Sequence, residues 1–202
     1  MPFLVFYKLM TDLAQARKYI TELHRKQNDP YCWPDYLTGL PGQNAIIRKL
    51  EKIYPMLGTY GIAYARISNI YPYLIKYGYK HHADIIEWSA AIFKTAFDDV
   101  KDSFVGAIDT HGYVIMAKSR DLDPVLSECA RLFGKKTGAY YSPEDRKKGS
   151  ILSFHAEGKC VSVGLMDIIY STVREKTKIP RGDLVPHLAS MCSKLESESL
   201  QS

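Results

Sequence analysis

The chain is short of every feature that would place it outside ordinary globular proteins. No apolar run approaches the ~18 residues a bilayer-spanning helix needs. The opening Met1-Pro2-Phe3-Leu4-Val5-Phe6-Tyr7 is apolar but short and lacks a basic region before it, so it does not read as a secretory signal. The 4 cysteines (Cys32, Cys129, Cys160 and Cys192) lie far apart, with no C-x-x-C pair and no histidine at ligand spacing. That excludes a disulfide framework and a zinc-ribbon pattern and fits reduced thiols in a cytoplasmic protein. Charge of one sign is scarce: 27 basic against 22 acidic residues leave +5, dispersed along the chain. The densest basic run, Arg146-Lys147-Lys148 near Lys135-Lys136, has Glu144 and Asp145 beside it, so it reads as a solvated loop and not a nucleic-acid surface. Internal repeats, low-complexity tracts and long Gly/Ser linkers are missing. The one glycine-dense stretch, Leu37-Thr38-Gly39-Leu40-Pro41-Gly42, lacks the lysine of a P-loop and the spacing of G-x-G-x-x-G, and by spacing alone is a turn.

What is present is a sequence of 202 residues, 46% hydrophobic and 24% charged, enough for one domain and a short extension. Asn28-Asp29-Pro30 and Trp33-Pro34-Asp35 form a proline-rich break. Before it, Leu9, Leu13, Ala16, Ile20 and Leu23 follow the spacing of a single apolar stripe, so residues 1–30 read as a signalling or dimerisation helix. Such a helix either docks on its own domain or pairs with a second copy of itself. After the break, Ile46, Leu50, Ile53 and Leu57 predict a helix, and Tyr60 to Ile67 a central strand apolar on both faces until Arg66. Ile86, Ala90, Phe93, Phe97 and Val100 predict a long helix over 83–99. Phe104 to Ala107 and Tyr113 to Ala117 read as a hairpin around Asp109-Thr110-His111-Gly112. Leu122, Leu126, Cys129 and Phe133 mark another helix, with Cys129 and Cys192 expected in the core. Ile151 to Phe154 and Cys160 to Leu165, joined through Glu157-Gly158, read as a second strand pair. Gly182-Asp183 opens a last helix with Leu184, Leu188, Met191 and Leu195 on one face, and Glu196 onward, 198–202 above all, is a polar tail. Helices interleaved with hairpins imply an α/β fold with a mixed central sheet flanked by helices, not an all-parallel sheet.

Asp35-Tyr36-Leu37-Thr38-Gly39-Leu40-Pro41-Gly42 resembles the D-x-L-T-G-L-x-N motif that opens the GGDEF domain, the diguanylate cyclase fold. Tyr77-Gly78-Tyr79 resembles that family's Y-G-H/F element, and Phe104 to Ile115 falls where its hairpin carries the G-G-D/E-E/D-F signature. Tyr141-Ser142-Pro143-Glu144-Asp145-Arg146 and Val161-Ser162-Val163-Gly164 resemble a subgroup with a longer loop before its S-I-G strand. The likeness covers residues 33–197 in the right order, and implies a GGDEF-like domain over 31–197.

The departures carry the functional expectation. The signature positions read Asp109-Thr110-His111-Gly112-Tyr113, so both leading glycines are replaced and the acidic positions have become His111 and Gly112. A Cβ then stands where a triphosphate needs close backbone approach. Arg66 stands where the family's first strand supplies a magnesium carboxylate. The guanine-reading Asn aligns with Leu74, and the Asp after the Y-G-H element with Ala83, or with Asp84 after one insertion. The inhibitory R-x-x-D site is absent at Val100-Lys101-Asp102-Ser103. The resemblance therefore implies a domain that does not make cyclic di-GMP, with no catalytic residue, no metal ligand set and no cofactor. Its partners are expected to be proteins of a signalling pathway, with homodimerisation through the N-terminal helix. The alternative is a non-hydrolysing receptor holding GTP or a cyclic dinucleotide in the old cleft beside Arg66, Ser68, Asn69, Leu74 and Asp84. A third reading, an enzyme with relocated carboxylates, has candidates in Asp84, Asp98, Asp99 and Asp102, but nothing in the sequence brings two together.

Single residues are weighed the same way. Arg66 either binds a phosphate or pairs with Asp109 or another carboxylate. His111 reads as an exposed turn histidine. His81-His82 begins a helix as a solvated turn, since a metal site would need i,i+4 spacing or a remote partner. Tyr60, Tyr64, Tyr71, Tyr73, Tyr77 and Tyr79 read as packing aromatics with polar rims.

Overall fold

The computed structural model describes residues 35–156 and 159–199. The predicted helix over 1–30, Cys32, the Glu157-Gly158 turn and residues 200–202 lie outside the described residues, as does the side chain of Cys160. The elements run α1 (Gln43–Ile53), β1 (Tyr60–Ser68), α2 (Ile70–Tyr77), α3 (His82–Asp98), β2 (Phe104–Ala107), β3 (Gly112–Lys118), α4 (Ser119–Thr137), α5 (Pro143–Lys148), β4 (Ser150–Ala156), β5 (Lys159–Gly164), β6 (Asp167–Val173) and α6 (Arg181–Ser199).

β1 is central because almost every residue in it is apolar. The main sheet has the order β2-β3-β1-β6, and each of its pairings is antiparallel. Period-two alternation then sends Ala63, Ala65 and Ile67 of β1, with Tyr113, Ile115 and Ala117 of β3, to one face. There they meet Phe93 and Phe97 of α3 and Leu122, Leu126, Cys129 and Phe133 of α4. The intervening Ile62, Tyr64, Val114 and Met116 face Ile46, Leu50 and Ile53 of α1 and Leu184, Leu188 and Cys192 of α6. Two helical layers thus enclose one sheet, which explains why neither face of β1 could be polar. Each fully buried Leu, Ile or Phe contributes roughly 1.5–3 kcal/mol to that sandwich.

Several sequence expectations are refined. β4 and β5 pair with one another as a separate two-stranded sheet and do not extend the main one. β6, which the sequence reading passed over, pairs with β1 from Ile62↔Val173 to Ser68↔Asp167. α1 stops at Ile53 before the turn containing Pro55, so Leu57 is buried beyond the helix. The buried stripe of α6 is Leu184, Leu188 and Cys192, whereas Met191 and Leu195 are 39% and 46% exposed. A straight helix returns to the same face at successive steps of four, and the third such residue is a cysteine. α6 also runs through Glu196 to Ser199, so Glu196 belongs to the helix and not to a tail. Arg146, Lys147 and Lys148 lie in the last turn of α5, which Ser142 caps by accepting the Asp145 N–H.

Candidate functional site

Asp35 organises the opening turn. Its Oδ1 accepts the backbone N–H groups of Leu37 (3.1 Å) and Thr38 (2.8 Å) and the Thr38 hydroxyl (2.8 Å). The Asp35 carbonyl accepts from Gly39, whose φ of +66° suits glycine, and the Asp35 N–H donates to the Leu40 carbonyl. Leu40 is buried and the Pro41 carbonyl accepts the Ala107 N–H at 2.9 Å, so the motif ties the chain to β2. The N–H groups of Asp35, Leu37, Thr38, Gly39 and Leu40 are all bonded within the motif.

At the other end of β2 the chain turns through Asp109–His111 into β3. Asp109 Oδ1 accepts the His111 N–H at 2.9 Å, and Tyr64 Oη reaches Asp109 Oδ2 at 3.5 Å. A Cβ on Gly112 would lie 2.6 Å from Asp109 Oδ2 and 2.8 Å from Tyr64 Oη, so any larger residue would displace the folded-back carboxylate. Burial, then the Asp109 charge, pushes the Tyr64 phenol up to about 12. Tyr113 is fully buried, contacts Phe93 at 4.9 Å between centroids, and bonds the Ser89 hydroxyl and the Ile86 carbonyl. It anchors β3 to α3, and burial pushes its phenol up to about 12 as well.

His111 is 9% exposed and not the solvent-facing turn histidine expected from sequence. Its carbonyl accepts the Ile67 N–H, Tyr71 packs edge-on at 5.5 Å, and its Nε2 lies 2.8 Å from Nε2 of His82. Burial first, and the neighbouring His82 second, lower the basicity of His111, with Asp109 opposing and Arg66 adding to the effect. His82 is correspondingly not a free turn residue, because a remote partner meets it. His81 instead stacks on Tyr140 and approaches Asp84 at 3.4 Å.

Arg66 points along β1 toward α6, where Nη2 lies 3.7 Å from Glu196 and Nη1 donates to the Ser193 hydroxyl at 3.5 Å. A carboxylate partner was expected, and it is supplied by α6. Ser68 is buried and donates to the Asp167 carbonyl at 3.1 Å. Asn69, in the left-handed region at φ 54°, donates through Nδ2 to the Leu165 carbonyl (3.1 Å) and through its backbone N–H to Glu196 (3.0 Å). Leu74 is buried in the core and Asp84 is exposed, so neither faces the others. What converges is Tyr64, Arg66, Tyr71, Asp109, Thr110 and His111, around a cavity of about 250 Å³. Among the described residues no group of three or more His, Cys, Asp or Glu side chains gathers as a metal set. A cavity of about 450 Å³ between α1 and α6 adjoins it, sharing Tyr64 and Asp109, and another of about 490 Å³ lies against α4.

No protein-family model and no curated protein matches the chain. Solved structures do. The GGDEF domain of FimX from Pseudomonas aeruginosa is 10% identical over 82% of this chain and 94% of that one, with a TM-score of 0.53. The coiled coil and GGDEF domain of DgcB from Caulobacter crescentus, solved with c-di-GMP, is 11% identical over 96% and 95%, with a TM-score of 0.57. The S helix-GGDEF-EAL structure of Vibrio cholerae LapD bound to c-di-GMP is 14% identical, with a TM-score of 0.58, over 91% of this chain and 38% of that one. The chain has a GGDEF-like fold. Identities this low carry the fold and no finer property. In this GGDEF-like frame the β2–β3 turn, the end of β1 and the starts of α2 and α3 form one cleft, and the sequence alone gave no sign that His82, Tyr71 and Glu196 border it. His82 and His111 are 29 residues apart and Arg66 and Glu196 are 130 apart (196 − 66), beyond any local periodicity.

Two features of the surface complete the picture. Tyr71, Ile75 and Tyr79, spaced by four along and just past α2, are 59%, 80% and 73% exposed. Tyr71 and Tyr79 are more exposed than expected although their rings meet His111 and His82 edge-on, whereas Tyr73 stacks on Tyr77 and meets Tyr141 edge-on inside the domain. Among the described residues no helix is long and apolar enough to cross a membrane.

Proposed function

We propose that this protein is a catalytically inactive GGDEF-like signalling or scaffolding module of a bacterial c-di-GMP pathway, cytoplasmic, and acting through protein contacts. The observation that carries the reading is the content of the cleft. Mg²⁺ in phosphoryl chemistry is held by oxygen ligands, mainly carboxylates and substrate phosphates. Here β1 offers Arg66, the turn offers an imidazole, and both oxygens of the remaining carboxylate, Asp109, already accept bonds from His111 and Tyr64. These residues do not suit a magnesium ion. The His82–His111 contact and the Tyr71 ring occupy the space beside the turn.

The receptor alternative gains support from Arg66, which could meet a phosphate, and from the adjoining cavity of about 450 Å³ that shares Tyr64 and Asp109, but the cavity Arg66 itself lines holds only about 250 Å³. A whole dinucleotide would require His82 and His111 to part. The protein-contact reading draws support from the exposed Tyr71 and Ile75 of α2 and Tyr79 just beyond its end, a group of large side chains of the kind that marks contact surfaces.

The test is direct. Full-length protein incubated with GTP and Mg²⁺ or Mn²⁺ should yield no guanylate product by chromatography, and calorimetry with GTP, GMP and c-di-GMP should register no heat. Product formation defeats the inactive reading. Heat that disappears in Arg66→Ala would establish the receptor instead. Light scattering over a concentration series checks self-association through residues 1–30, and a constant monomer mass removes that contact from the proposal.

A further inference from the structure

His82 opens α3 and His111 lies in the β2–β3 turn, yet their Nε2 atoms are 2.8 Å apart and their ring centroids 5.1 Å apart at 47°. In a neutral pair, one Nε2 carries a proton and donates it while the other accepts. Moving the donor's proton from Nε2 to Nδ1 is a tautomer change with no net proton lost, and it leaves two Nε2 lone pairs directed at a common point. A tetrahedral zinc ion with Zn–N bonds of about 2.0–2.1 Å separates its two nitrogens by roughly 3.3 Å. Opening the contact by about half an ångström, with the rings turned so that both lone pairs leave the N···N line and meet at one point, converts it into a metal bite.

We propose that His82 and His111 form a site for one late first-row transition-metal ion, Zn²⁺ or Cu²⁺, bound through both Nε2 atoms with water completing the shell. This goes beyond the inactive reading and does not depend on it, since imidazole selects zinc and copper where magnesium demands oxygen. Three structural facts support it. His111 is fixed before any ion arrives, by the Ile67 N–H on its carbonyl, the Asp109 carboxylate on its own N–H and the edge of Tyr71 against its ring. The cavity of about 250 Å³ that His111 lines has room for the water ligands. Arg66 lines the same cavity, and its guanidinium is paired with Glu196 at 3.7 Å and Ser193 at 3.5 Å, which offsets the charge that would oppose a metal there. Among the described residues no third His, Cys, Asp or Glu joins the pair, so the site is an open two-ligand one, weaker than a closed structural zinc centre. An ion bound there would pin the β2–β3 turn to α3.

The experiment titrates the untagged full chain with ZnCl₂, CuCl₂ and MgCl₂ at neutral pH by calorimetry. One Zn²⁺ or Cu²⁺ per chain is expected, with copper tighter than zinc and no response to magnesium. His82→Gln and His111→Gln should each weaken binding by about tenfold or more, at least as much as loss of a supporting outer-shell group. His81→Gln should leave it unchanged. Electron paramagnetic resonance of the copper-loaded wild-type protein gives a readout free of any folding defect in the variants, and should show coupling to two imidazole nitrogens. Undiminished affinity in the His82→Gln/His111→Gln double variant, or a copper spectrum without nitrogen coupling, overturns the proposal.

Discussion

At the scale of single residues, polar side chains tie the elements of this protein to one another. Asp145 shows how. It is buried behind α2, where Lys76 Nζ lies 2.6 Å from its carboxylate and Tyr77 Oη donates to it. Lys76, then Tyr77, hold the carboxyl below its ordinary value of 3.8. A lowered pKa means that the ionised form favours the folded state. That contribution is present above the ordinary value of 3.8, diminishes as the pH falls below it, and is gone once the lower folded value is passed. Asp145→Asn should therefore destabilise the protein at neutral pH, and the gap from wild type should narrow as the medium is acidified through that range. Urea melts of both proteins at a series of pH values check it; a gap of constant size would mean that the contact contributes through shape and not through charge.

At the scale of elements, apolar periodicity predicted most helices but not which residues of α6 face the sheet. Leu188→Ala should cost about 2–5 kcal/mol, because the side chain is fully buried against β1 and β6. Leu195→Ala, at a position 46% exposed, should change stability by no more than about 0.5 kcal/mol. Equilibrium denaturation of the two variants checks the assignment, and equal losses would restore the stripe through Met191 and Leu195. Cys192 is in the core as expected, completing the four-residue steps from Leu184 and Leu188, but Met191 and Leu195 read onto the same face because they are the larger apolar residues at helical spacing. β6 escaped notice for another reason. Asp167-Ile168-Ile169-Tyr170-Ser171-Thr172-Val173 is rich in β-formers, but as the sheet's edge strand it is only partly covered and shows no clean alternation. By contrast β1 and β3 were plain, because a strand enclosed on both faces has to be apolar throughout. The opening turn was legible as a turn, since Asp35, Thr38 and Gly39 satisfy one another locally. The convergence of His82 with His111 was not, because nothing local in the sequence encodes a contact between a helix start and a distant hairpin.

At the scale of the whole molecule, one side chain links the two helical layers around the end of β1. Glu196, near the C-terminal end of α6, accepts the backbone N–H of Asn69 at 3.0 Å and faces Arg66 at 3.7 Å. Asn69 is the N-cap of α2 and its side chain makes no capping bond, being committed to the Leu165 carbonyl. The start of α2 thus takes its negative charge from a helix that otherwise packs on the opposite face of the sheet. A carboxylate at a helix N-terminus contributes about 0.3–1 kcal/mol through the helix dipole, and a hydrogen bond to a charged group about 1.5–3 kcal/mol. With the pair about one-fifth to one-quarter exposed, solvent screening reduces the ion-pair part. Glu196→Gln keeps a hydrogen-bonding oxygen but removes the charge, and should cost about 0.5–1 kcal/mol, the dipole and ion-pair share alone. Glu196→Ala removes the acceptor too and should cost about 1–2 kcal/mol. Hydrogen exchange distinguishes a cross-layer tie from a local cap on α6: in Glu196→Ala, protection should fall at Asn69 and in the first turn of α2 as well as in the last turns of α6. Loss confined to α6 would show that α2 is held by its own core residues, Ile70, Tyr73 and Leu74, without help from the far layer.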